Sequence, residues 1–520
     1  MSAETYSLYK QIYQQLTYLW LSPWFMGGTV LGGLLLHFKL LSATWLDKLL
    51  NRLVLANFLL LIVVAISYLF YPSYLDHVES SIASLGLIYQ QKDQIYPLHS
   101  EYSMHGLMYG PLLAETQAFF ELFNLPVVLS SKLSGVAAFV CSSVLLLGNF
   151  KNNFARSYLI FLIPFGMFNY WNRAEPIFIL LVTLTLILVR QSTIQITKIF
   201  FIGCLMGAAS GLKIHAGIYI FAVILSRPEL IKGWTLQRGF TLLAGLFIVL
   251  TAIYSPQQVS IFNFFSYLDL GRKHGISTSL LLENLTYMSA LLCPIIYLLI
   301  KGLGKKSKYF VPIILLIAVE FVVVLIASKP GAGSHHLMPF IPIHSVLIQD
   351  LLDETPAHYP PLLQFKFGLL IIGFMSFITP LVLVGKIIMQ YPLQSELKKE
   401  IEIIKEKYPG IVLAPSDTKS YSFVYLRPVL EKAGFRQVDY PALMDLKLSG
   451  VSDDALSVAM RQCSIPYLAL PVEGEPLALN SYYTNRPLFS DSVRSTFQEL
   501  YKPVIPALMK HYVVFACDNK

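Results

Sequence analysis

Long apolar runs separated by short polar segments dominate the first three quarters of the chain. About twelve of these runs approach the roughly 20 residues that an α-helix needs to cross a bilayer. They cover approximately 22–41, 51–71, 128–148, 157–170, 175–190, 197–211, 214–227, 238–254, 279–300, 309–328, 337–352 and 366–386. The pattern predicts a polytopic α-helical membrane protein with about 12 transmembrane helices.

Two segments break this pattern. The 72–127 loop is too long for a simple connector, and its apolar spacing predicts helices from Leu75 to Gln91 and from Pro111 to Phe123, both lying on the membrane surface. After residue 390 the pattern alternates, with helices predicted at 394–407, 420–433, 453–462 and 491–501 and strands at 411–414, 436–439, 466–470 and 511–516. This alternation predicts a transmembrane domain over 1–390 and a soluble α/β domain over 391–520.

Composition and charge agree with a membrane protein. The 520 residues are 55% hydrophobic and 13% charged, against about 25% charged in soluble domains. The net charge of +8 lies within residues 1–392, whereas the tail has equal numbers of acidic and basic residues. We interpret the basic excess as topology rather than nucleic-acid binding. The dense group Lys301, Lys305, Lys306 and Lys308 is predicted to be cytoplasmic, which places the 72–127 loop and the tail together outside.

The five cysteines fall into two groups. Cys141, Cys204 and Cys293 lie inside apolar runs, where cysteine usually acts as a small buried hydrophobe. Cys463 and Cys517 both lie beside strand-like runs of the tail. They are predicted to be close together, either as a disulfide in an oxidising compartment or as buried thiols.

A pair of carboxylates directly follows the second apolar run. Asp76 and Glu79 are three residues apart, so they share one face of a helix. A carboxylate at a membrane boundary can accept a proton from a substrate hydroxyl. The alternative is that Asp76 is simply an N-cap at the start of a helix.

Two further motifs stand on the same predicted outer side. Tyr109-Gly110-Pro111 opens the second loop helix, and Trp171-Asn172-Arg173-Ala174-Glu175 forms a short turn between two spans. With the acidic pair, this layout resembles the GT-C superfamily of membrane glycosyltransferases, which includes protein mannosyltransferases and aminoarabinose transferases. The resemblance implies that a sugar moves from a polyprenyl-phosphate carrier to an acceptor hydroxyl, with Asp76 as the general base. Glu79 is a candidate to orient the acceptor, to support Asp76 or to bind a metal.

Basic residues near this face are candidates for the donor phosphate. Lys213 lies within apolar sequence, where an ionisable residue is costly and usually functional, although a lysine can also snorkel to the interface. Arg173 is a second candidate, with the alternative that it pairs with Glu175. Glu175 and Tyr109 are candidates for substrate binding.

Two more basic groups occur in predicted outer loops. Arg272 and Lys273 lie in the 255–278 loop, which is long enough to form a lid. His335 and His336 follow a Gly-x-Gly turn over 331–333, whose backbone amides can hold a phosphate. For each group the alternative is an ordinary solvated loop or tight connection.

These observations predict a glycosyltransferase of a bacterial cytoplasmic (inner) membrane with an extracytoplasmic tail. Its expected partners are a polyprenyl-phosphate sugar donor, a glycan, lipid or protein acceptor and membrane lipids, without nucleic acid. No cofactor is certain, and a divalent metal stays an open alternative. The rival functions are a flippase of lipid-linked glycans, favoured by Glu283 and Glu320 within spans, and an oligosaccharide ligase or polymerase.

Overall fold

The computed structural model describes residues 21–37, 43–97, 102, 109–149, 170–190, 195–301, 308–353, 360–417, 421–504 and 509–518. The chain divides into two compact units. The first unit takes its described residues from Met1–Leu69, Gly135–Thr251 and Ile276–Ile387. The second takes them from Phe70–Ser134, Ala252–Gly275 and Ile388–Lys520.

The described residues are mostly helical. The helices up to the first short strand are α1 (Leu21–His37), α2 (Ala43–Phe70), α3 (His77–Gln90), α4 (Pro111–Glu121), α5 (Val127–Asn149), α6 (Ala174–Arg190), α7 (Ile196–Leu212), α8 (Gly217–Leu225), α9 (Pro228–Lys232), α10 (Leu236–Tyr254), α11 (Ile261–Arg272), α12 (Thr278–Lys301), α13 (Phe310–Ala327), α14 (Phe340–Asp353), α15 (Pro360–Ser376) and α16 (Ile378–Lys407). A 3₁₀ helix, Ser334–Leu337, precedes α14. The remaining elements are β1 (Val412–Leu413), a 3₁₀ helix (Tyr421–Leu426), α17 (Arg427–Glu431), α18 (Tyr440–Leu448), α19 (Asp454–Arg461), β2 (Tyr467–Pro471), α20 (Asp491–Leu500), β3 (Tyr501–Pro503) and β4 (Tyr512–Cys517).

The apolar helices confirm the membrane-protein class. In the described part of the chain, six helical segments are long and apolar enough to cross a membrane: Thr44–Phe70, Val127–Asn149, Leu236–Tyr254, Thr278–Ile300, Phe310–Ala327 and Leu362–Lys407. Several other predicted spans are shorter helices. The predicted span 157–170 lies outside the described residues.

Two predicted spans differ in detail from the structure. The run 214–227 contains α8, which has nine residues and is therefore only about 14 Å long, too short to cross a bilayer alone. The run 366–386 is divided between α15 and α16, which meet at Phe377. Helix α15 packs on α1, where the rings of Phe25 and Phe365 meet edge to face at 5.7 Å.

In the second unit, both helices predicted in the 72–127 loop are confirmed as α3 and α4. The interfacial position predicted for α3 is wrong, because its residues from Glu79 to Ile88 are all buried against protein. The two helices pack so closely that a Cβ added at Gly86 would lie 2.4 Å from Cβ of Gln117. Only α4 keeps exposed apolar side chains at its end, Phe119, Leu122 and Phe123.

The tail contains a mixed four-stranded sheet of order β1-β2-β4-β3. Strands β1 and β2 are parallel, and β4 is antiparallel to both β2 and β3. Three of the predicted strands are therefore present, but the strand predicted at 436–439 is wrong. There the side chain of Gln437 bonds to Leu413 N at 2.9 Å and Ile411 O at 2.7 Å, and Asp439 then caps α18 through Ala442 N.

The segment 255–278 was predicted to be an irregular loop, and it instead contains α11. Ser260 caps this helix by accepting a hydrogen bond from Asn263 N at 3.2 Å. The helix is tied to residues 95–97 of the same unit, since Asn263 Nδ2 donates to Tyr96 O at 2.8 Å and Tyr267 Oη donates to Pro97 O at 3.0 Å. A helix forms here because a good N-cap precedes a run of apolar residues.

One prediction about the tail is confirmed. Cys463 and Cys517 form a disulfide, with Cα atoms 5.7 Å apart. The 72–127 loop and the tail also contact each other directly: Ser81 Oγ donates to Asp439 at 3.2 Å, and Gln91 Nε2 donates to Glu431 O at 2.9 Å. These contacts agree with a shared side of the membrane for the two segments, and the non-cytoplasmic side stays a prediction.

Candidate functional site

A buried charged cluster of the first unit forms where α7 ends. Lys213 follows the last residue of α7 with φ −148° and ψ 129°, an extended conformation that breaks the helix before α8. Its side chain is buried and its Nζ lies 2.7 Å from Oε1 of Glu175 at the start of α6. The alternative that Glu175 pairs with Arg173 is supported only as far as the charge of Arg173 also acts on Glu175.

Three histidines join this cluster. His335 Nε2 lies 3.8 Å from Glu175 Oε1, and His336 Nδ1 lies 3.3 Å from Nε2 of His215. The rings of His335 and His336 are 4.6 Å apart. Tyr219 Oη donates to the His336 carbonyl at 2.9 Å and so fixes the 3₁₀ helix that carries both histidines. His215 was not among the predicted site residues, and its position two residues after Lys213 was the available signal.

Arg173 reaches the same cluster from a rigid turn. Its charge acts on both Glu175 and His336, and its side chain is buried. The turn is fixed by Tyr68, whose hydroxyl accepts a hydrogen bond from Asn172 N at 2.8 Å. Any residue larger than glycine at 135 would collide with it, because an added Cβ would lie 2.1 Å from the Trp171 carbonyl oxygen.

The cluster suits an anion. Arg173, Lys213, His335 and His336 surround a carboxylate, Glu175, that is bonded to Lys213. Arginine and lysine side chains are ordinarily cationic at neutral pH, so the described charges favour the arrival of a negative group. Charge-assisted hydrogen bonds from such side chains to phosphate oxygens are short and strong.

Asp76 and Glu79 form a capping box at the start of α3. Asp76 Oδ1 accepts from Val78 N at 2.9 Å and Glu79 N at 3.2 Å. Glu79 Oε1 accepts from Leu75 N at 2.9 Å and Asp76 N at 3.1 Å. The N-cap interpretation of Asp76 is thus confirmed, while a role as general base stays a prediction.

The segment before Asp76 is held by a buried lysine. Lys132 Nζ donates to Tyr71 O at 2.7 Å and Ser73 O at 2.6 Å, just beyond the end of α2. A cation at the carboxyl end of a helix interacts favourably with the helix dipole. This contact fixes the chain between α2 and the capping box.

The remaining predicted site residues do not belong to the Lys213 cluster. Arg272 and Lys273 end α11 in the second unit and are exposed, with Arg272 3.6 Å from Asp269. Tyr109 is also in the second unit, where it is buried and its carbonyl accepts from Tyr96 Oη at 2.7 Å. Four of the six predicted phosphate ligands therefore meet in one place. Within the described ranges, no group of three or more His, Cys, Asp or Glu side chains could hold a metal.

The second unit has its own buried charged cluster, centred on Arg427. Its Nη2 donates to Asp439 Oδ2 and to Ser81 Oγ, both at 2.7 Å, and its Nε donates to Ser84 Oγ at 3.3 Å. Ser84 in turn donates to Glu431. Burial raises the pKa of Glu431 to about 7, although the nearby Arg427 charge opposes this shift. Sequence reasoning missed this cluster because Ser84 and Ser81 lie 343 and 346 residues from Arg427 in the chain.

Comparisons with known proteins place the fold. No protein-family model matches the chain, and no curated protein matches it. Its fold is similar to that of two solved structures of one protein. The crystal structure of ArnT from Cupriavidus metallidurans in the apo state is similar over 90% of this chain and 98% of that chain, with a TM-score of 0.56 and 13% identity. ArnT from the same organism bound to undecaprenyl phosphate is similar over 91% and 98%, with a TM-score of 0.54 and 14% identity. The resemblance predicted from the sequence motifs is confirmed at the level of fold.

Proposed function

We propose that this chain is a membrane glycosyltransferase that moves a sugar from a polyprenyl-phosphate-linked donor to an acceptor hydroxyl. The observation that carries the proposal is the buried Lys213 cluster, in which several basic side chains meet around one carboxylate. Such a site suits the phosphate of a lipid carrier, whose tail is apolar and whose head is anionic. The binding of undecaprenyl phosphate by ArnT, which has a similar fold, supports the same donor class.

The basic cluster acts on the leaving group. When the bond between the sugar anomeric carbon and the phosphate oxygen breaks, negative charge grows on the phosphate, and fixed cations stabilise it. Lys213 and Arg173 supply the charge, and His335 and His336 donate hydrogen bonds. Glu175 holds Lys213 in place through the 2.7 Å ion pair.

The acceptor hydroxyl needs a base. Its oxygen forms the new bond to the anomeric carbon, and its proton passes to the Asp76 carboxylate. The capping box supports this role, because two backbone N–H groups hold Oδ1 of Asp76 in a fixed position. Glu79 fixes the backbone of Asp76 and acts as a positioning residue.

We also propose the outer face of a bacterial cytoplasmic membrane as the place of reaction, with about twelve spans and an extracytoplasmic tail domain. The Cys463–Cys517 disulfide supports this side, because disulfides persist in oxidising compartments. The basic bias of the alternate loops supports the same orientation.

A lipid-linked-glycan flippase is the second candidate. The observation that favours it is the pair Glu320 and His344, both fully buried in α13 and α14 and hydrogen-bonded to each other. Ionisable groups of this kind occur along proton or substrate paths of transporters.

Reconstitution distinguishes the two functions. The full-length protein is placed in proteoliposomes with undecaprenyl-phosphate-linked radiolabelled sugars and a set of glycan, lipid and peptide acceptors. A transferase converts label into acceptor-linked product. A flippase moves label between leaflets without breaking the sugar-phosphate bond, and that result would overturn the proposed function. The Glu320→Gln variant is expected to leave sugar transfer within about twofold of the unmodified protein, because no step above uses this carboxyl.

A further inference from the structure

The second unit has an aromatic cluster next to Asp76 that serves no step described so far. The cluster consists of His77, Tyr421, Tyr482 and Tyr483. The His77 ring lies 5.6 Å from that of Tyr482 and 6.1 Å from that of Tyr421. The rings of Tyr482 and Tyr483 are 4.3 Å apart. Two distant parts of the chain thus bring aromatic rings to His77, the residue that follows Asp76.

This cluster is partly open to solvent. Tyr482 is 49% exposed, and the other three members are half-buried. An ordinary core would bury these rings, and an ordinary surface would not hold them in mutual contact. Partly exposed aromatic rings in a fixed arrangement offer an apolar face and a polar edge to a ligand.

The tyrosine hydroxyls of the cluster differ in their hydrogen-bond partners. Tyr482 Oη donates to Tyr483 Oη at 3.2 Å, and Tyr483 Oη donates to the Asp445 carboxylate. The Tyr421 hydroxyl, by contrast, is buried and has no hydrogen-bond partner among the described residues. A buried hydroxyl without a partner is uncommon in native proteins and points to a missing ligand or water.

We propose that the aromatic cluster is an acceptor subsite and that the acceptor it takes is a neutral saccharide. This inference rests on the proposed function. The C–H faces of a sugar ring pack on the tyrosine rings, and its hydroxyls bond to the polar edge of the cluster. His77 follows Asp76 directly in the chain, so a sugar on this cluster lies beside the proposed base.

The charges around the cluster favour a neutral ligand over an anionic one. Asp76 and Asp445 are both acidic and close to Tyr482. Arg427, a buried cation whose charge acts on Tyr421, is already bonded to Asp439 and to two serines. A phosphorylated lipid acceptor would meet carboxylates here with no unengaged buried cation in the described residues of this cluster.

Saccharide binding tests the subsite directly. The full-length protein in nanodiscs is titrated with neutral saccharides, maltotriose and N,N′,N″-triacetylchitotriose among them, and contacts are read by saturation-transfer-difference NMR. We expect Tyr482→Ala to weaken the tightest saccharide about tenfold, and Tyr421→Phe to weaken it less. Tyr391→Ala is the matched control, because Tyr391 is similarly exposed at 47% but lies on α16 outside the cluster.

A kinetic measurement separates this inference from the proposed function. With transfer activity established, Tyr482→Ala should raise the KM for the saccharide acceptor about tenfold and leave the KM for the lipid donor unchanged. Saccharide binding that is equal in Tyr482→Ala and in Tyr391→Ala would overturn the subsite, whether or not the protein is a transferase. Transfer only to peptide or phosphorylated lipid acceptors, insensitive to Tyr482→Ala, would also overturn it while leaving the transferase intact.

Discussion

The two buried charged clusters of this protein differ in how their charges are balanced. In the second unit, the guanidinium of Arg427 is matched by Asp439 and Glu431, and two serines complete its hydrogen bonds. In the first unit, Glu175 is bonded to Lys213 while further basic side chains surround it. A balanced cluster holds a structure together, whereas a cluster with an excess of one charge is suited to bind the opposite one.

The two clusters are therefore expected to have different roles. Buried ion pairs in low-dielectric surroundings are costly unless every group is satisfied. The Arg427 cluster meets that condition with groups of its own unit and joins α3 to α17. We propose that a phosphate joins the Lys213 cluster as a further negative group beside Glu175.

Asp76 of the second unit has two roles: it caps α3, and we propose that it is the general base. Asp76→Asn should lower sugar transfer by about 10²–10⁴-fold, because an amide cannot take the acceptor proton. Asparagine is as good an N-cap as aspartate, so folding should be unchanged. The assay is transfer of radiolabelled sugar by purified protein. An Asn variant that keeps most of its activity would reduce Asp76 to a helix cap.

Breaking the Arg427 cluster should lower the free energy of unfolding and leave substrate binding unchanged. Arg427→Met leaves Asp439 buried without its cation and should destabilise the second unit by about 3–5 kcal/mol. The double variant Arg427→Met with Asp439→Asn removes both charges and should recover part of that loss. Chemical unfolding measures both. Equal stability of the single variant and the unmodified protein would contradict the structural role.

The disulfide is expected to stabilise the tail. Cys463 and Cys517 are separated by 54 positions, and closing a loop of that length contributes about 2–4 kcal/mol. Cys463→Ser should therefore lower the free energy of unfolding, whereas Cys204→Ser, which removes a free thiol of the first unit, serves as the control. Mass mapping of the non-reduced protein should recover the linked peptide pair, and two free thiols there would contradict the bridge.

Glu431 makes a smaller, pH-dependent contribution. Burial raises its pKa from 4.5 to about 7, so between these values the folded protein binds more protons than the unfolded chain. Stability should consequently fall as the pH rises from 4.5 to 7. Glu431→Gln removes this slope and should be more stable than the unmodified protein at pH 8, by on the order of 1–3 kcal/mol. Thermal unfolding is measured for the two proteins at pH 5 and pH 8. A difference in melting temperature between them that is the same at both pH values would contradict this contribution of Glu431.

The sequence predicted local features well. The apolar runs marked most helices of the first unit, and the acidic pair at 76 and 79 marked the start of α3. The strand predicted at 436–439 failed because Gln437 makes with its side chain the hydrogen bonds to β1 that a strand would make with its backbone.

Contacts between distant residues could not be predicted from local patterns. Lys213 was singled out because a lysine in apolar sequence is costly, but its partner, Glu175, lies 38 residues away. The two histidines after the Gly-x-Gly turn were predicted as phosphate ligands. The part played by His215 could be seen only from its contact with His336 in the folded protein. Arg427 carried no signal, because a single arginine in a soluble tail is usually exposed.

The most direct test measures binding of undecaprenyl phosphate to proteins that lack one ion pair of the first unit. The double variant Lys213→Met with Glu175→Gln removes both charges of the ion pair at the candidate site. Lys366→Met with Asp47→Asn neutralises a second lysine pair of the first unit with the same 2.7 Å separation. We expect the first double variant to weaken binding about 10- to 100-fold and the second to bind like the unmodified protein. Equal affinity in both double variants would contradict a donor phosphate site at Lys213.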